Sequence, residues 1–252
     1  MSWPAIAFSR VPLADAAMMR RADAEAAQRF GIEARQLMEV AGFQVARFLA
    51  GRRGGVAGRR VAVVAGAGNN GGDALVAARF LSQLGAGVIA WILEARDPTS
   101  LAASHARTLR AMGIACRSAT DSLDLSADLI LDGLLGTGVR LPLRHPAPAL
   151  ISAINRSTSP VIAIDLPSGL DSDTGAGDAL AVQAEFTVTL GLPKPALATA
   201  RSPGQVFLAD IGLPAALFGP DQAAVAAVYA EGSLLELVRP IKRQVDGNSP
   251  PD

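Results

Sequence analysis

Three stretches of this 252-residue chain place polar or acidic side chains among glycines, each directly after a short apolar run. The first reads Gly66-Ala67-Gly68-Asn69-Asn70-Gly71-Gly72-Asp73 and follows residues 61–65. The second, Asp132-Gly133-Leu134-Leu135-Gly136-Thr137-Gly138, follows residues 129–131, and the third, Asp165-Leu166-Pro167-Ser168-Gly169-Leu170-Asp171, follows residues 161–164. Glycine leaves room for backbone amides to close on a ligand, and amides at a strand-to-helix turn attract anionic groups. Any one stretch alone is also what a tight turn closed by an Asx-type bond looks like. Three of them after three apolar runs point to one shared ligand site at the carboxyl edge of a sheet.

Two narrower readings of the glycines meet chemical objections. Gly66, Gly68 and Gly71 fit the dinucleotide fingerprint GxGxxG, and Glu94 after the next apolar run is placed to accept a ribose hydroxyl. An NAD-dependent oxidoreductase, however, calls for a general acid beside the carbonyl, and the chain offers only His105, His145, Lys194, Lys242 and Tyr229, with no Tyr/Lys pair. Asn69 and Asn70 also bring oxygen ligands that a pure pyrophosphate turn does not need. Asp173-Thr174-Gly175-Ala176-Gly177-Asp178 is similar to the anion hole of ribokinase-like sugar kinases. It is one residue short between Thr and Gly and has no Gly-containing apolar helix after it, so a turn is expected there.

The elements that must position these loops follow from periodicity. Apolar runs at 61–65, 88–93, 114–116, 129–131, 161–164, 186–190 and 206–209 read as strands, and they alternate with helical patterns at 73–84, 98–112 with Asp97 as N-cap, and 146–155. Two further helices come first, at 15–30, closed by Gly31, and at 33–49. The expected architecture is α/β: a Rossmann-like, doubly wound, mostly parallel sheet with helices on both faces, a three-layer sandwich with a two-helix N-terminal arm. One domain over residues 1–242 is expected, with residues 243–252 (RQVDGNSPPD) a disordered tail.

Composition narrows the function classes. Apolar types make up 50% of the chain and charged types 18%, enough for a sizeable core. Lys+Arg and Asp+Glu are both 23, so no global basic field drives nucleic-acid binding. A single cysteine, Cys116, and two histidines exclude a disulfide framework and leave almost nothing for a sulfur and imidazole zinc site. No apolar run reaches the roughly 18 residues of a membrane span, and the N-terminus lacks a secretory pattern. A mature, soluble, cytoplasmic chain with no membrane partner is expected.

The words of the sequence resemble a known family. Leu37-Met38-Glu39 with Ala41-Gly42, GAGNNGGDALVAARFL from Gly66, LDGLLGTG from Leu131, AIDLPSGLDSDTG from Ala163 and TVTLGLPKPAL from Thr187 are similar to the YjeF N-terminal domain family, the NAD(P)H-hydrate epimerases. The resemblance spans Leu37 to Leu197. It implies interconversion of the R and S epimers of NADHX and NADPHX, the hydrated and damaged nicotinamide cofactors, by an isomerase. An ATP- or ADP-dependent dehydratase would then restore the S epimer, and relatives suggest a homodimer.

The resemblance also implies K+ held through Asn70, Asp132 and Ser168. Substrate contacts are implied at Asn69, Asn70, Gly71, Gly72 and Asp73, at Gly136, Thr137, Gly138, Val139, Arg140, Leu141 and Pro142, and at Asp165. The residue chemistry agrees, since a hard monovalent cation prefers an amide, a carboxylate and a hydroxyl. Asp165 is then the acid at the sheet edge with no cation to serve and is expected to be the catalytic proton carrier, its alternative role being a helix or turn cap. Asp73 could equally favour a helix macrodipole, Arg140 is a candidate phosphate contact or a solvated side chain, and Lys194 has no assigned role. Some relatives are fused to a dehydratase half, so the chain is expected to be a single-activity protein or one cut from a fusion. Others keep the fold as a non-catalytic scaffold in RNA metabolism; the intact Asn70, Asp132, Asp165 and Ser168 favour the epimerase.

Overall fold

Along strand β2 (Arg60–Ala65) the side chains alternate between two cores, with Val61, Val63 and Ala65 on one side and Ala62 and Val64 on the other. That period of two requires apolar cover on both faces of a sheet. The computed structural model describes residues 3–119 and 123–239, and within them it supplies that cover. The first face carries α1 (Ala16–Phe30), α2 (Ala34–Gly51), α3 (Asn69–Gln83), α4 (Leu101–Ala111) and α6 (Gln222–Ala230). The second is covered by α5 (Ala147–Arg156), whose Leu150, Ile151 and Ile154 meet Ile130 and Val161.

Nine strands form the sheet: β1 (Ala5–Ala7), β2, β3 (Gly87–Ile92), β4 (Ala115–Ser118), β5 (Leu129–Gly133), β6 (Val161–Ile164), β7 (Phe186–Leu190), β8 (Gln205–Ala209) and β9 (Leu234–Val238). Their order is β1-β9-β8-β7-β6-β5-β2-β3-β4, and every pair is parallel except β8 with β9. From β2 the chain winds outward through β3 and β4, then returns to β5 on the other side of β2 and winds the opposite way. The order therefore reverses between β5 and β2, in the register Val61 opposite Leu129. This is the doubly wound, mostly parallel three-layer sheet expected from the sequence.

The helix ends follow local chemistry. Asp15 caps α1 by accepting from the Met18 N–H at 2.6 Å, and Gly31 ends it in the left-handed conformation at φ 66°. The two-helix N-terminal arm lies on the sheet. Phe48 of α2 packs against Phe207 and Phe186 with ring centroids 4.7 and 5.9 Å away, and Gly42 lets α2 press against Val76 of α3, where a Cβ would collide. Such an aromatic cluster buries enough apolar surface that truncating Phe48 to Ala should cost about 3–5 kcal/mol.

Several boundaries differ from the expectation. Strands β1 and β9 and helix α6 are additional elements; β1 has three residues, too few for alternation to register. The cap of α4 is Ser100, whose Oγ accepts from the Ala103 N–H at 3.3 Å, whereas Asp97 closes an Asx turn onto the Thr99 N–H at 2.8 Å. Helix α3 starts at Asn69, so Asn-Asn-Gly-Gly forms its first turn and Asp73 lies inside the helix. Residues 243–252 and Lys242 lie outside the described residues. Among the described residues no helix is long and apolar enough to cross a membrane.

Candidate active site

At the reversal between β2 and β5 the two loops part, and a cavity of about 500 Å³ opens beyond the carboxyl ends of the strands. The first turn of α3 lines it with Asn69, Asn70 and Gly71, and Asp73 follows one turn later. Gly136, Thr137 and Gly138 form the opposite lip, Asp165 and Lys194 the floor, and Met19, Arg20 and Asp23 of α1 close the side. The loops can come together because Gly66 lies against the Leu134 carbonyl, where no side chain fits.

Behind the lip, Asp132 is fully buried at 0% exposure. Its Oδ1 accepts from the Ser168 hydroxyl at 2.6 Å and from the Leu134 N–H at 3.2 Å, and its Oδ2 accepts from the Ser168 N–H at 2.9 Å. Burial pushes the Asp132 carboxyl up to about 6, against the pull of the Ser168 hydrogen bonds. Ser168 Oγ also accepts from the Leu135 N–H at 2.8 Å, and Asn70 Nδ2 donates to the Leu135 carbonyl at 2.8 Å. Asn70 Oδ1 is buried without a hydrogen-bond partner among the described residues. A buried amide oxygen with unused acceptor capacity, next to a carboxylate, a hydroxyl and a carbonyl, fits an oxygen-liganded cation. Among the described residues no three His, Cys, Asp or Glu side chains gather as a metal site.

Asp165 is the only non-glycine described residue with a left-handed backbone, at φ 64°, a conformation that costs energy and persists where the surroundings over-determine it. They do so here. Asp165 Oδ1 accepts from the Thr189 hydroxyl at 3.2 Å and the Leu190 N–H at 3.1 Å and forms an ion pair with Lys194. Lys194, 1% exposed, donates a further bond to the Leu190 carbonyl at 2.8 Å. All three donors among the described residues engage Oδ1, and none engages Oδ2. The ammonium of Lys194, between Pro193 and Pro195, reaches Asp165 from the loop after β7, a partner the sequence did not reveal. Lys194 follows the carboxyl end of a strand, the same signal that singled out the other loops, but its Pro-flanked setting gave it no role in the sequence reading.

Asp73 is partly buried, and burial together with the nearby Asp165 and Asp23 carboxylates raises its carboxyl well above the usual range, with Lys194 opposing. Burial also raises Asp23, which nothing in the sequence of α1 distinguished. Other implied contacts stand apart. Gly72 faces Met38 within the helix packing, and Val139, Arg140, Leu141 and Pro142 are not among the residues lining the cavity, the last three being exposed. Glu94 is exposed and ion-paired with Arg110. Asp173 and Asp178 lie in turns and accept from the N–H groups of Ala16 and of Arg201 and Ser202, as a turn rather than a kinase loop would.

The fold and the cavity define a doubly wound α/β protein with a cavity at its switch point, where such sheets take their ligands. Residues 34–196 match the family model described as YjeF-related protein N-terminus. The chain belongs to that family. A bifunctional NAD(P)H-hydrate repair enzyme Nnr of Mycobacterium tuberculosis (strain ATCC 25618 / H37Rv) is 40% identical over 201 residues, 80% of this chain and 38% of the relative. The enzyme of the same name from Thermofilum pendens is 42% identical over 181 residues, 68% of this chain and 34% of the relative. The chain thus spans well under half the length of these curated relatives. The crystal structure of yeast ynu0 superimposes with a TM-score of 0.69 at 26% identity, covering 79% of this chain and 88% of that one.

Proposed function

We propose that this protein is an isomerase that interconverts the R and S epimers of NADHX and NADPHX. The observation that carries the reading is Asp165, held by Lys194 in a strained conformation on the floor of a cavity at the switch point. The amides opening α3 and those of Gly136 to Gly138 suit the anionic part of a dinucleotide, with Asn69, Asn70 and Gly71 alongside. Leu37, Met38 and Ala41 offer an apolar wall to the ring.

Epimerisation requires the hydroxyl on the hydrated carbon to leave and return on the other face. The ring nitrogen supplies the electrons that expel it, so the protein has to move protons and shelter the positive ring. Asp165, already an ion-paired carboxylate, accepts the proton of the returning water through Oδ2. K+ would be held by Asn70, Asp132 and Ser168, where it supplies positive charge behind the Gly136–Gly138 lip. We further read residues 1–242 as one epimerase domain, acting in the cytoplasm as a homodimer. A separate ATP- or ADP-dependent dehydratase would consume the S epimer.

The test is R-NADHX incubated with the purified protein in K+ buffer and followed by chromatography or proton NMR. An R/S mixture appearing far faster than in buffer alone is expected. Tight binding without conversion would instead favour the non-catalytic scaffold, and formation of oxidised or reduced nicotinamide the oxidoreductase.

A further inference from the structure

A second carboxyl faces the same cavity and is bound quite differently. Asp165 is half of an ion pair with its described donors on Oδ1, an arrangement suited to accepting a proton rather than donating one. The reaction needs both acts, since the hydroxyl leaves as water only after receiving a proton. Asp73, on α3, lines the cavity and has no side-chain hydrogen bond among the described residues. The charged groups facing it are Asp165 from the loop after β6, Asp23 from α1 and Lys194 from the loop after β7. Two carboxylates thus confront it, and the single ammonium is already committed to Asp165. Burial and like charge both favour the neutral acid, and a pair of carboxyl groups with opposed environments is the usual mark of an acid and a base. Asp23 is raised by the same causes but less than Asp73, and its side chain is the more exposed of the two.

We propose that Asp73 is the catalytic acid that protonates the departing hydroxyl, paired with Asp165 as the acceptor, and that Lys194 is the positioning residue that keeps Asp165 in that role. The inference rests on the epimerase reading. In the forward step the Asp73 proton goes to the hydroxyl oxygen, the carbon–oxygen bond breaks with its electron pair leaving on water, and the ring nitrogen lone pair forms a carbon–nitrogen double bond. Water then adds to the opposite face, that double bond returns its electrons to nitrogen, and the proton lost by the water goes to Asp165. A proton passed from Asp165 back to Asp73 through solvent restores the starting state.

The test is the pH profile of R-NADHX epimerisation for the wild type, Asp73→Asn and Asp73→Glu. In Asp73→Asn, kcat is expected to fall by roughly 10²- to 10⁴-fold while KM stays within about threefold, and the alkaline limb of the wild-type profile should vanish. Asp73→Glu keeps a titratable acid, so its limb should persist at a displaced midpoint. Asp73→Asn activity within about threefold of wild type with the alkaline limb intact overturns the proposal. So does a rise in melting temperature with an unchanged profile, the signature of mere relief of repulsion. Where Asp73→Asn does not fold, an alkaline limb in Asp73→Glu identical to wild type overturns it as well. A wild-type protein that does not epimerise sinks the underlying reading, whereas an active wild type with an active Asp73→Asn sinks only the role of Asp73.

Discussion

Asp132 and Asp165 are the same residue type at the carboxyl ends of two neighbouring strands, β5 and β6, yet their surroundings have little in common. Asp132 is sealed behind the lip at 0% exposure and is served by two backbone N–H groups and one hydroxyl, none of them formally charged. Asp165 opens onto the cavity in a left-handed backbone, answered by a buried ammonium. Position on a sheet edge therefore does not assign a role to a carboxylate; the charge and number of its partners do. Neutral donors leave Asp132 with unspent negative charge, which suits a cation site. The ammonium spends that of Asp165, the arrangement on which its proposed part in proton transfer rests.

Removing the carboxylate that faces the cavity should have the largest effect. Asp165→Asn is expected to lower the epimerisation rate by roughly 10²- to 10⁴-fold, read with R-NADHX as substrate. Its counterpart Asp132→Asn retains the shape of a buried site and should reduce activity chiefly by weakening the dependence on K+. If the two variants lose activity equally and neither alters the K+ response, the contrast between the sites is wrong.

Lys194→Met comes next. It strands Asp165 without its cation, and breaking one side of a buried pair costs about 3–5 kcal/mol, measurable by urea denaturation. The double variant Asp165→Asn with Lys194→Met should recover part of that loss, because no ionised group is then left unpaired. Additive losses would mean that the ion pair carries no coupling.

Asp132→Ala removes the acceptor for three bonds from Leu134 and Ser168 and should cost about 1–3 kcal/mol for each buried donor that finds no new partner. The smallest effect is a pH slope. The folded value of Asp132, about 6, lies above the unfolded one, so protonation favours the folded state. In K+-free buffer this contribution is fully present below about pH 4 and is lost as pH rises through about 6. Melting curves between those limits should show a steeper fall of stability with rising pH in the wild type than in Asp132→Asn, which keeps only the contributions of the other carboxyls such as Asp73 and Asp23.

Much of this was legible in the sequence. Alternation and turn glycines located seven strands and the three site loops, because period-two burial and tight turns are local properties written in neighbouring residues. What escaped was set by distant partners. β1 is a strand only because β9 pairs with it, and nothing within Ala5–Ala7 says so. Asp73 could be read as a helix-dipole residue because the Asp23 and Asp165 carboxylates that surround it come from elsewhere in the chain. Lys194 lay in a recognisable word, yet its role required knowing that the loop after β7 folds under the loop after β6. Arg140, read either as a phosphate contact or as a solvated side chain, is exposed and is not among the residues lining the cavity.

The pairing of β1 with β9 also sets a timetable. A ribosome releases the chain from its N-terminus, so Ala5–Ala7 emerges more than two hundred residues before Leu234–Val238, the strand against which it lies. The inner strands β2 to β5 can associate as they appear, since their partners lie close in sequence, while the first segment has to wait unpaired. Helix α1 shares that delay, for its first turn is held by Asp173 and the backbone just ahead of it by the Pro193 carbonyl. The wall bearing Met19, Arg20 and Asp23 is thus among the last parts of the cavity to arrive, and a nascent chain stalled before β7 would hold the Asn70 and Asp132 loops without an enclosed pocket.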